Sequence, residues 1–160
     1  MNIARKTRNL IGALVAAATL TLAPMAQAVD FRGGGAITDF TGCSAQGWSG
    51  AAFVRARFRL ADGASNGLNN LSLFMPDGTI NLAIDDPLAD TRTWRRSYGN
   101  ATFYEWGNWD PRPRVRFRQV TPIGGATVAE ATDLLLRIRV RGFNWMPACE
   151  VMIVLALHRE

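Results

Sequence analysis

Nine consecutive residues constrain the fold of this chain more than any other stretch: Arg112, Pro113, Arg114, Val115, Arg116, Phe117, Arg118, Gln119 and Val120. From Arg114 to Arg118 charged and apolar residues alternate one by one. Successive side chains of a strand point to opposite faces, so a strand puts Val115 and Phe117 on one side and Arg112, Arg114, Arg116 and Arg118 on the other. A helix with its 3.6-residue period scatters the same arginines around its circumference. The device recurs twice. In 54–60, Arg55, Arg57 and Arg59 alternate with Val54, Ala56, Phe58 and Leu60; in 136–141, Arg137, Arg139 and Arg141 alternate with Leu136, Ile138 and Val140. Three strands with an apolar face toward a core and an arginine face away from it form the frame that the rest of the chain has to complete.

Residues 1–28 read as an export signal and not as part of that frame. Arg5, Lys6 and Arg8 make a basic start, an apolar stretch covers 10–23, and Ala26, Gln27 and Ala28 fit a small-x-small cleavage pattern. The apolar stretch is shorter than the ~20 residues a membrane-spanning helix needs. The expectation is a bacterial-type Sec signal and a single mature domain, residues 29–160, that is periplasmic or extracellular and has no transmembrane span. Three of the 18 basic residues and none of the 13 acids lie in the signal, so the formal charge of +5 overstates how basic the mature domain is. Its cations are all arginine, since Lys6 is the only lysine. Arginine carries a planar fork of donors that suits carboxylate, sulfate and phosphate. Codon bias in a GC-rich genome is the bland alternative for the missing lysine, but it does not explain the register of the arginines.

Cys43 and Cys149 are the only cysteines. In one exported domain two cysteines read as one disulfide, here tying the first strand region to the loop before the last strand. Turn signals divide the remainder into short strands. Gly33, Gly34 and Gly35 open a strand at 36–41, and a long strand follows at 48–60. Pro76, Asp77 and Gly78 join strands 71–75 and 79–84 as a hairpin. A second hairpin, 91–98 with 101–106, turns at Gly99 and Asn100. A short helix fits 126–131, and strands 134–141 and 149–158 end the chain. In the last of these, Val151, Ile153, Leu155 and Leu157 share one face and Met152, Val154 and Ala156 the other, which predicts a central strand covered on both sides. The expected fold is all-β: a single-domain antiparallel β-sandwich, or a closed β-barrel, of about 8 strands, with one disulfide and at most one short helix.

Catalytic chemistry finds little to work with. The only histidine, His158, lies two residues from the C-terminus, where it is expected to be exposed at a frayed end. Asp85, Asp86 and Asp90 match no calcium-loop spacing, and Glu105 with Asp110 makes a weak carboxylate pair. No metal site, cofactor or catalytic residue is expected. The aromatic cluster of Trp94, Tyr98, Phe103, Tyr104, Trp106 and Trp109 fits a core edge or a stacking platform, with Trp109 and the loop residue Trp145 the ones placed to be exposed. The expected function is therefore an exported, non-enzymatic binding module. Arg55, Arg57, Arg59, Arg114, Arg116, Arg118, Arg137 and Arg139, with Trp109 and Trp145, would engage an anionic glycan, a lipid headgroup or an acidic protein. The alternative is a structural or interaction subunit of a periplasmic or cell-surface assembly. Nucleic acid is not an expected partner of an exported domain with so small a net charge.

Overall fold

The computed structural model describes residues 29–44, 49–61, 68–76, 78–84, 95–101, 107–108 and 113–160, with 95–101, 107–108 and 145 described by their backbone. The fold is all-β. Seven strands, β1 (Asp30–Thr41), β2 (Ala52–Arg59), β3 (Asn69–Met75), β4 (Gly78–Ile84), β7 (Arg114–Ile123), β8 (Asp133–Arg141) and β9 (Glu150–Arg159), form one antiparallel sheet in the order β4-β3-β2-β1-β9-β8-β7. A short β5 (Arg95–Ala101) pairs with β4 over five positions and with β7 over two, and carries the two-residue β6 (Gly107–Asn108). A 3-10 turn, Phe143–Trp145, is the one helical element of three residues among the described residues.

The alternation read in the sequence decides which side of the sheet is buried. Phe31, Phe58, Leu71, Ile80, Phe117, Ile138 and Ile153, one from each of the seven strands, are fully buried, while their neighbours in sequence point the other way. A flat sheet cannot bury one face without a second layer, and the described residues supply none. The sheet supplies the layer itself by curling. β2 and β7 are separated in it by β1, β9 and β8. At about 4.8 Å per strand a flat arrangement would hold them roughly 19 Å apart. Instead the rings of Phe58 and Phe117 meet edge to face, with centroids 6.4 Å apart and planes at 65°.

Two features of β1 allow the curl. Gly33 and Gly35 lie on its inner face, where a Cβ would sit 2.1 Å from the carbonyl oxygen of Ala156 and 1.9 Å from that of Val154. Only glycine lets β9 come so close, as at a barrel corner. Further on, the β1–β9 register shifts between Thr38 and Thr41, and Asp39 there has a φ of 54°. A bulge of this kind bends its strand and increases the twist.

The Cys43–Cys149 disulfide is present and buried, with Cα atoms 4.5 Å apart across 106 residues of sequence. It closes the end of the β1–β9 pair beside the bulge. Several local expectations are corrected. The glycine triplet lies inside β1 and does not precede it, because close approach, not a turn, is what it provides. The strand expected over 48–60 is β2, starting at Ala52. β5 runs through Gly99 and Asn100 where a turn was expected, because both pair with β4. No helix forms over 126–131: β7 continues to Ile123, and bends and a turn occupy 124–130. Gly124 takes a φ of 75° there, and the Thr132 N–H returns to the Ile123 carbonyl, which makes the segment a chain reversal. The curled sheet, with seven long strands against about eight expected, is what stands of the expected sandwich or barrel. The signal segment 1–28 lies outside the described residues. Among those residues no helix is long and apolar enough to cross a membrane.

Candidate functional site

Because apolar side chains fill the inside of the curl, the described arginines of the three alternating runs point to its outer face. Register rows show how they meet. Arg114 of β7 lies opposite Arg141 of β8, and Arg116 opposite Arg139. The β2 arginines stand apart from these, since β1 and β9 intervene. Arg118 is exposed beside the β7 register shift between Phe117 and Gln119, so the strict alternation of that run ends in a bulge. Arg112 lies outside the described residues.

Like charges directly opposite on paired strands destabilise a sheet unless something negative offsets them. For part of the outer face the protein supplies its own carboxylates. Glu150 of β9 forms an ion pair with Arg139, 3.2 Å from one carboxylate oxygen, and accepts a shorter hydrogen bond from Arg141 through the other. At the opposite end Asp30 takes the fork of Arg57: Nε donates to both carboxylate oxygens, at 3.0 and 2.8 Å, and Nη2 adds a shorter bond. Arg59 adds a bond of 3.3 Å to the same carboxylate. Arg32 pairs with Glu160 at 2.8 Å. Among the described residues no ion pair holds Arg55, Arg114, Arg118 or Arg137. The uncompensated positive charge is therefore concentrated on β7 and β8.

The Asp30 carboxyl feels two opposing influences. Partial burial raises its pKa, but the hydrogen bonds and charge of Arg57, followed by those of Arg59, outweigh it and hold the group below the ordinary carboxylate value. A depressed native pKa stabilises the fold above the unfolded-state pKa of about 3.9, and that contribution disappears as the pH falls through the lower native value. We expect Asp30→Asn to cost about 0.5–1 kcal/mol at pH 7, and the difference from the parent to close below about pH 4. Urea melts across pH 2–7 check this; a constant difference over that range would contradict it.

His158 is exposed as expected, but its chain end is not frayed. β9 runs through Arg159, and His158 Nδ1 lies 2.9 Å from Asp133 Oδ1 across the β8–β9 ladder. Hydrogen bonds from His158 and then Thr132 hold the Asp133 carboxyl below its usual value. The Thr132 hydroxyl donates to the other Asp133 oxygen at 2.9 Å and not to the imidazole. Nor do the described residues gather three or more His, Cys, Asp or Glu side chains into a metal site.

The aromatic part of the expected site falls largely outside the described residues. Trp109 lies outside the described residues, as do Trp94, Phe103, Tyr104 and Trp106 and the acidic run Asp85, Asp86 and Asp90. Trp145 sits in the 3-10 turn; its neighbours Phe143, Asn144 and Met146 are buried, so this segment packs onto the end of the core. One feature of the outer face was missed. Phe53 is 81% exposed and shares the face of Arg55, with Phe74 of β3 directly opposite that arginine. The register held the signal, since Phe53 has the same parity as Arg55, Arg57 and Arg59. β9 also departs from expectation. It is central in the sheet, yet its second apolar face is only partly covered: Met152 is buried, while Val154 is 39% exposed. Comparison with protein-family models, curated proteins and solved structures returns no match.

Proposed function

We propose that the chain is exported, loses residues 1–28, and acts as a non-enzymatic module that binds an anionic ligand on the outer face of β7 and β8. Ala26, Gln27 and Ala28 fit the cleavage pattern ahead of β1, which starts at Asp30. A buried disulfide suits an oxidising compartment. In this reading the curled sheet closes into a barrel through β5, whose pairings with both β4 and β7 support the closure. A closed barrel gives the arginine face a rigid backing and leaves few sheet edges to pair elsewhere.

The observation that carries the reading is the register that sets Arg114 opposite Arg141 and Arg116 opposite Arg139 across one ladder. Glu150 reaches only one end of that array, and Arg114, Arg118 and Arg137 have no ion pair among the described residues. A ligand with several sulfate, phosphate or carboxylate groups would complete the charge balance, and the guanidinium fork offers each group two parallel bonds. An anionic polysaccharide is the simplest probe. The protein is expected to be retained on such a column at low salt and released as the gradient shortens the screening length from about 30 Å toward 8 Å. Elution without retention at 10 mM salt would exclude this function.

A further inference from the structure

The outer face is not charged throughout. Between its two ion-paired ends run two register rows: Phe53, Ala36, Val154 and Arg137, and beside it Arg55, Gly34, Ala156 and Leu135, each read from β2 through β1 and β9 to β8. Small residues on β1 and β9 leave a shallow depression of about 680 Å³. Its apolar rim is unusually exposed: Phe53 at 81%, Val154 at 39% and Leu135 at 38%, with Phe74 on β3 at 43% continuing the band. No acidic residue lies in either row. Arg55 and Arg137, at opposite corners, have no ion pair among the described residues.

We infer that this band docks the protein on an anionic lipid bilayer. Contiguous exposed apolar side chains are candidate interaction surfaces. Three observations favour lipid as the occupant. The band carries cations only, which complements anionic headgroups, whereas protein interfaces ring their apolar centre with polar groups and use about one hydrogen bond per 100–200 Å². The depression is open and shallow, so it does not enclose a discrete ligand, but fluid acyl chains conform to it without a fixed register. Phe53, on the rim of the depression, is 81% exposed, as suits an interfacial anchor. The inference is independent of polysaccharide binding on β7 and β8, although Arg137 borders both surfaces.

Co-sedimentation of the protein with vesicles tests it. We expect binding to vesicles of phosphatidylglycerol and phosphatidylcholine, and much weaker binding to phosphatidylcholine alone. Phe53→Ser should weaken the binding roughly tenfold or more, given the transfer energy of a phenylalanine side chain. Phe74→Ser is expected to act in the same direction. Arg55→Gln should weaken it about fivefold, as for one cation near an anionic surface. Both phenylalanines are exposed, so these variants keep the core, and retention of the Phe53→Ser protein on the anionic polysaccharide column should be unchanged. Absence of binding to anionic vesicles would overturn the inference. So would equal binding to both kinds of vesicle, or binding that Phe53→Ser and Phe74→Ser leave intact. Self-association or a protein complex that Phe53→Ser abolishes, with vesicles ignored, would assign the band to a protein and overturn it equally.

Discussion

Phe58→Ala and Phe117→Ala should each lower the free energy of unfolding by about 3–5 kcal/mol, the usual cost of removing a buried phenylalanine and leaving a cavity. Both rings are fully buried, and each is the largest apolar side chain its strand sends inward. The more informative quantity is their coupling. The two strands lie four steps apart in the sheet, so the rings meet only if the sheet curls back on itself. An edge-to-face pair is worth about 0.5–1.5 kcal/mol beyond its burial. The double variant should therefore be less destabilised than the sum of the two singles by about that amount. Additivity within about 0.3 kcal/mol would mean that the rings do not touch, and the curled arrangement would fail with it. Urea unfolding of the four proteins gives the answer.

Opening the disulfide should have an effect of similar size. Cys43 and Cys149 close 106 residues of chain, and removal of a native disulfide from an exported domain costs about 2–5 kcal/mol. Cys43→Ser with Cys149→Ser is expected to fall in that range. Its location adds a second expectation. β1 and β9 pair along most of their length, but their register shifts just before Thr41, next to the disulfide. Amide exchange should therefore accelerate most around 39–43 and 146–150, with 31–37 keeping its protection. Uniform acceleration along β1 would show that the bond supports the whole pair and not its bulged end.

The parts of this fold that alternation governs were legible in the sequence. Val115 and Phe117 turn inward beside outward arginines because a strand has no other way to sort them, and Val54, Ala56 and Phe58 follow the same rule. The disulfide was legible because two cysteines allow only one pairing. What could not be read was anything set by a partner strand. Gly33 and Gly35 look like a turn until the Val154 and Ala156 carbonyls are found where their β-carbons would be. The alanines of 126–131 suggest a helix, yet the segment serves to reverse the chain between β7 and β8. The adjacency of the arginine strands was equally invisible: sequence alone does not say that two of the three runs pair with each other while the third sits across β1 and β9. Nor does it place Asp30 against Arg57 and Arg59, or Glu150 against Arg139 and Arg141, since each contact depends on the register of two paired strands, β1 with β2 and β8 with β9.

That division of the arginines into compensated and uncompensated groups is the centre of the account, and one comparison tests it. Two charge-matched variants are run on the anionic polysaccharide column beside the parent protein. In one, Arg114, Arg118 and Arg137 become Gln; in the other, Arg32, Arg57 and Arg59, each already paired with a carboxylate, become Gln. Circular dichroism confirms that both are folded. Because the net charge falls by the same amount, a nonspecific effect shifts both elution positions equally. The account predicts that the first variant loses retention at low salt while the second elutes close to the parent. Equal shifts, or a larger loss in the second, would contradict it.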